Sequence, residues 1–95
     1  MGLSFEWDEE KSRENLRRHG VSFEESSTIF GDPLSLTIED PLHSIEEDRL
    51  ITIGLSNAGT TLVVVHTERG DNIRVISARI ASPRERRMYV EGTGK

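Results

Sequence analysis

The sequence predicts a single α+β domain: an antiparallel β-sheet with two N-terminal helices packed on one face and a short C-terminal helix. Three observations carry this. Two capped helix starts fall before Gly31, alternating strand patterns joined by tight turns fill residues 50–80, and another helix cap follows at Ser82. With 95 residues, the whole span 1–95 makes one domain, long enough to bury roughly two-thirds of its extended surface.

Phe5-Glu6-Trp7 alternates in the manner of a short strand that joins a sheet formed later in the chain. Asp8 is a good N-cap, Glu9 and Glu10 suit the positive end of a helix, and Arg17, Arg18 and His19 suit its negative end. Gly20 supplies a left-handed stop. Within this helix the strongly apolar residue is Leu16, with Ser12, Asn15 and His19 on the same side, so narrow a stripe that the helix is expected to lie across the domain's edge. Val21 then staples a second helix, capped by Ser22 with Glu25 three residues on and anchored by Phe23, Ile29 and Phe30. It ends before Gly31-Asp32-Pro33. Leu34, Leu36 and Ile38 alternate with polar residues as a half-buried strand does, and residues 40–48 read as an acidic loop.

Ile51, Ile53 and Leu55 form the next strand, Asn57-Ala58-Gly59 a three-residue hairpin turn, and Thr60 to Thr67 the return. A second turn at Gly70-Asp71 leads into a strand over residues 73–80, and Ser82-Pro83-Arg84-Glu85 has the pattern of a capping box with proline at the first helical position. A two-residue loop at Gly70-Asp71 sets His66 opposite Val75, Val65 opposite Ile76, Val64 opposite Ser77 and Leu62 opposite Arg79. That parity separates two faces. Ile51, Ile53, Leu55, Val63, Val65, Ile76, Ala78 and Ile80 form an apolar face for the helices, and Thr52, Gly54, Val64, His66, Glu68, Ser77 and Arg79 form a mixed, open one.

The net charge is −5 and is unevenly placed. Residues 1–65 carry 5 basic and 13 acidic side chains, a balance of −8, whereas residues 66–95 carry 7 and 4, a balance of +3. Global acidity argues against indiscriminate nucleic-acid binding and leaves a local basic site in the second half of the chain. Without cysteine there are no disulfides, thiolate zinc sites or cysteine nucleophiles. No apolar run approaches about 18 residues and the first residues do not resemble a signal peptide, so the expectation is a cytoplasmic protein with no membrane segment.

The constellation with chemistry on offer is His66, Glu68 and Arg79, with Arg69 at the adjoining turn. Cutting RNA without a metal requires a group to take the 2′-hydroxyl proton and cations to neutralise charge on the phosphate oxygens. Histidine or glutamate suits the first task, and arginine, always charged and forked to match phosphate, suits the second. Each has an ordinary explanation too: His66 as a strand residue filling a half-buried slot, and Glu68, Arg69 and Arg79 as solvated residues. Arg84, Arg86 and Arg87 would flank a phosphate-binding groove, or serve as surface arginines on a helix that packs through Met88, Tyr89 and Val90. His19 is accounted for by its place at a helix end, and His43 has no spacing partner. No HxH or HExxH spacing, Gly-rich phosphate loop or nucleophile elbow occurs, so neither metal nor cofactor is expected.

Several elements together resemble the BrnT toxins. They are Phe5-Glu6-Trp7-Asp8, Lys11 and Asn15, Arg18 through Glu25, Phe30 with Asp32-Pro33, the Asp40/His43/Glu47/Arg49 spacing, Thr67-Glu68-Arg69-Gly70, and Ile73 through Arg79. The resemblance spans about residues 5–90. It implies a RelE-like fold with RNA cleavage on the sheet face opposite the helices, and an endoribonuclease toxin of a type II toxin–antitoxin pair that inhibits translation. It implies, too, neutralisation by a BrnA-type antitoxin in a 2:2 complex, with operator DNA reached only through the antitoxin. Catalytic roles would fall on His66, Glu68, Arg69 and Arg79, and RNA contacts on Arg49, Arg74, Ser77, Arg84 and Arg87. One departure stands out: family members commonly carry a basic residue after Ser-Ala-Arg, where this chain has Ile80. Two other readings share the same residues. One is a catalytically silent toxin-fold co-repressor that binds the antitoxin, and the other a toxin of this fold aimed at a protein such as a topoisomerase.

Overall fold

The computed structural model describes residues 3–40 and 48–93. The expected loop at 41–47, with His43 and Glu47, lies outside the described residues. The elements in order are β1 (Ser4–Glu6), α1 (Glu9–His19), α2 (Phe23–Ser27) running into a 3₁₀ turn (Thr28–Gly31), β2 (Leu36–Glu39), β3 (Arg49–Leu55), β4 (Thr61–Arg69), β5 (Asn72–Ile80) and α3 (Pro83–Thr93). The strands make one five-stranded sheet in the order β1-β5-β4-β3-β2. β1 runs parallel to β5 and the other pairs are antiparallel, so the sheet is mixed rather than purely antiparallel. A parallel neighbour requires a long crossover, and the whole of the chain between β1 and β5 supplies it.

The caps form as the sequence dictates. Asp8 accepts from the amides of Glu10 and Lys11, Gly20 stops α1 at φ 71°, and Ser22 accepts from the amide of Glu25. At the head of α3 the capping box closes in both directions, with the Glu85 amide 3.2 Å from Ser82 Oγ and the Ser82 amide 2.9 Å from Glu85 Oε1. α3 is not short: at 11 residues it matches α1.

Register is where parity fails. The lower half of the β4–β5 ladder pairs as expected, His66 with Val75, but above it Val65 pairs with Ser77, Val64 with Ala78, Val63 with Arg79 and Leu62 with Ile80. Ile76 is the extra residue of a β-bulge, which turns every later side chain of β5 to the other face. Val75 and Ala78 therefore both reach the main core, with Leu62, Val64, Val21, Phe23 and Ile29, beneath α1 and α2. The residues expected under those helices, Ile51, Ile53 and Val63, instead form a second cluster with Ala81 and Tyr89 beneath α3. Both faces of the sheet thus carry packed helices.

α1 packs through part of its expected stripe only. Leu16 is 51 % exposed, while Ser12 and Asn15 are buried. β1 pairs only with Asn72–Arg74, so β5 continues past the end of its neighbour. Asn15 stands in for the missing strand: its Oδ1 accepts from the Ala78 amide at 3.1 Å and its Nδ2 donates to the Ala78 carbonyl at 2.8 Å and to that of Val21 at 2.9 Å. A buried strand edge needs its groups paired, and a side-chain amide offers both donor and acceptor.

α3 leaves the end of β5 and crosses the second face toward β2. Tyr89 donates to Asp32 Oδ2 at 2.6 Å, and Asp32 also accepts from the Leu34 and Leu55 amides. At the far end a Cβ on Gly92 would meet the Leu36 side chain at 2.9 Å, so the helix lies close over β2. Among the described residues α3 is the helix that packs on this face.

Candidate functional site

Strand pairing arranges the face opposite α1 and α2 in rows. Arg69 stands across from Asn72 at the hairpin end. The next row reads Arg49, Thr67, Arg74, with Glu6 of β1 beside Arg74. Then come Ile38, Ile51, Val65 and Ser77, and after them Leu36, Ile53, Val63 and Arg79, where α3 begins its crossing. Arg49, Arg69, Arg74 and Arg79 thus share one face with Ser77. The row of Arg49 and Arg74 is separated from that of Arg79 by four residues of β4, about 13 Å. Because the bulge puts Ser77 and Arg79 on the α3 side, they accompany Ile51, Ile53 and Val65, which the simple parity had assigned to the opposite face.

Arg74 and Arg79 hold carboxylates. Arg74 Nη1 lies 3.3 Å from Glu6 Oε2, a half-exposed contact. Arg79 is bound more tightly: Nη1 donates to Glu85 Oε1 at 2.6 Å and Nη2 to Glu85 Oε2 at 2.7 Å, a bidentate fork. That bond to Arg79 holds the Glu85 carboxyl down to about 2. Glu85 is thereby shared between the capping box of α3 and the guanidinium on β5.

The structure does not bring His66 to this surface. The ring points to the opposite face and is 1 % exposed. It stacks edge-on against Phe30 at 4.8 Å, and its Nε2 lies 2.7 Å from Thr52 Oγ1, which meets Thr37 Oγ1 at 2.8 Å. Burial pushes the imidazole down to about 4, so it is neutral at pH 7. Among the described residues its Nδ1 has no partner. Of the two roles the sequence offers, the packing one matches these surroundings, and the expected grouping of His66 with Arg79 on one face does not form. Glu68 also follows the α1–α2 side by alternation, exposed beside the Gly70 turn. Arg84 and Arg87 are exposed on α3. Arg87 lines a groove of about 490 Å³ with Pro83, Arg86, Val90 and Glu91, outside the sheet rows. Ile80, the departure after Arg79, pairs with Leu62 yet is 52 % exposed, because the α1–α2 layer stops short of it.

Three features escaped sequence reasoning. Glu85 reads there as a helix cap only, and Thr67 as a plain strand residue, though its buried hydroxyl sits between Arg49 and Arg74. A cleft of about 310 Å³ also opens between α1 and the edge of β5, lined by Lys11, Glu14, Asn15, Arg18, His19, Ile76 and Ser77. The cluster of basic residues at the end of α1 was a usable signal for that cleft. Among the described residues no group of three or more His, Asp or Glu side chains could hold a metal ion, and no helix is long and apolar enough to cross a membrane.

The structure defines a small α+β domain with a five-stranded mixed sheet, α1 and α2 on one face and α3 with the arginines on the other. The family follows from comparison. A model described as the ribonuclease toxin, BrnT, of type II toxin–antitoxin systems matches residues 7–85. The fold is similar to the 1.1 Å crystal structure of the Brucella abortus ribonuclease toxin BrnT, with 26 % identity, a TM-score of 0.67, and coverage of 85 % of this chain and 99 % of that one. No curated protein matches the sequence. The chain belongs to the BrnT family of ribonuclease toxins, and membership implies an antitoxin partner.

Proposed function

We propose that the chain is a metal-independent endoribonuclease that works on the sheet face opposite α1 and α2. In this reading an RNA 2′-hydroxyl gives its proton to solvent water and its oxygen attacks the adjacent phosphorus, the bond to the 5′-oxygen breaks, and that oxygen takes a proton from water, so the products are a 2′,3′-cyclic phosphate and a 5′-hydroxyl. Arg79 neutralises charge growing on the phosphate oxygens, Arg49, Arg69 and Arg74 hold flanking phosphates, and the Ser77 hydroxyl donates to the backbone. Arg84 and Arg87 extend the cationic surface along α3. His66 serves the face from beneath, as a neutral ring tying β3 to β4, and touches no substrate. The observation that carries this reading is the convergence of four arginines on one face of an otherwise acidic protein.

The fold in this account is RelE-like, cleavage inhibits translation in the cytoplasm, and the partner is a BrnA-type antitoxin in a 2:2 complex that contacts operator DNA through the antitoxin alone. A catalytically silent co-repressor is the competing reading, favoured by the closed Arg79–Glu85 pair, which cancels the charge at the proposed centre. Mass spectrometry of a synthetic RNA treated with the purified chain separates the two. New fragments ending in a 2′,3′-cyclic phosphate support the nuclease, and an intact oligonucleotide supports the co-repressor.

A further inference from the structure

We infer that Glu85 is a positioning residue for Arg79 in RNA cleavage: its carboxylate grips the two terminal nitrogens end-on and so presents the Nε edge of the guanidinium to a phosphate. This rests on the nuclease reading above. The capping box alone does not explain the geometry. A cap at this position needs one side-chain oxygen for the Ser82 amide, which Oε1 provides at 2.9 Å, whereas Oε2 is given over to Arg79 Nη2 at 2.7 Å.

The contacts form a chain of constraint. Ser82 and Glu85 lock each other at the first turn of α3, so the carboxylate cannot wander, and the carboxylate in turn fixes a four-torsion side chain that is 47 % exposed. An arginine has five N–H donors, and the bonds to Glu85 use two. The Nε–H and the outward N–H of the neighbouring terminal nitrogen remain, a second parallel pair matched to phosphate oxygens. Ordering the guanidinium before RNA arrives removes that ordering from the reaction step. The pair is neutral overall, so it adds little to the attraction that draws RNA in. Loss of Glu85 is therefore expected in kcat more than in KM.

The test compares wild type, Glu85→Gln, Arg79→Ala and the double variant as full-length chains freed of antitoxin, cutting a short fluorescent RNA. Gln keeps an oxygen for the Ser82 amide, so Tm is expected to hold while Arg79 loses one of its two acceptors. Glu85→Gln should lower kcat roughly ten- to hundredfold with KM little changed. The double variant should be no slower than Arg79→Ala, because Glu85 acts through Arg79. A Glu85→Gln enzyme as fast as wild type or faster, or a loss that adds to that of Arg79→Ala, overturns the inference and leaves the nuclease reading intact. Wild-type speed in Arg79→Ala, or a wild-type chain that leaves RNA whole, overturns both. An independent readout needs no variant: the Nε–H resonance of Arg79 in the RNA-free wild type should report a restrained side chain, and a freely reorienting one contradicts the assignment.

Discussion

Arg79 and His66 are the residues on which the functional account turns, and they diverge. Both sit on neighbouring strands in a basic, β-rich stretch, yet one is half exposed and ion-paired while the other is 1 % exposed. Arg79→Ala is expected to reduce RNA cleavage to a small residual rate while shifting stability by less than about 1 kcal/mol, since a partly exposed ion pair contributes little to folding. Urea denaturation beside a cleavage assay checks both halves. His66 carries a pH signature instead. Its ring is held neutral down to about pH 4, against 6.5 in the unfolded chain, so the unfolded state takes up a proton first as the pH falls. Its contribution is complete above pH 6.5 and is lost between 6.5 and 4, about 3 kcal/mol in all. Denaturation curves at pH 7 and pH 4.5 should therefore show a steeper loss for wild type than for His66→Gln, and parallel losses would contradict the burial. The residue types were legible from sequence and their surroundings were not: burial of His66 depends on Phe30 and Thr52, set by tertiary packing.

At the scale of elements, caps and turns were readable because their chemistry is local. Asp8, Gly20, Ser22, Ser82 with Glu85, and the glycines at 59 and 70 with φ of 84° and 60° act within a few residues of themselves. The bulge at Ile76 was not readable, since an apolar residue in an apolar strand gives no sign that the ladder slips there. One extra residue moved Ser77 and Arg79 from an imagined outer face to the side that α3 crosses. Leu16 of α1 was misread for a related reason. Periodicity looks for apolar residues, whereas the inner face of α1 is polar because it must pair the edge of β5. Asn15→Ala leaves the Ala78 amide, the Ala78 carbonyl and the Val21 carbonyl without their partner and is expected to cost about 2–4 kcal/mol. Leu16→Ala, at an exposed site on the same helix, should change stability by about 0.5 kcal/mol or less. A reversal of that order in chemical denaturation would contradict the assigned role of α1.

Across the whole molecule, three layers divide the labour. α1 and α2 seal one face and supply the main core, the sheet displays arginines on the other, and α3 crosses that face and delivers Glu85 to Arg79. The net charge of −5 is unevenly spread: most acidic side chains lie in the first 65 residues, and strand pairing gathers Arg49, Arg69, Arg74 and Arg79 on one face. The sequence carried the sign asymmetry, but convergence of Arg49 with Arg74 depends on β4 lying between their strands, a long-range fact that no local pattern encodes. The most direct test is to incubate the purified chain, freed of antitoxin, with total RNA in EDTA and to map cuts by primer extension beside Arg79→Ala. Discrete cuts that persist in EDTA and fall to a small residual in the variant are the predicted result. Intact RNA from the folded wild-type chain, or cuts undiminished in Arg79→Ala, would contradict a nuclease centred on this face.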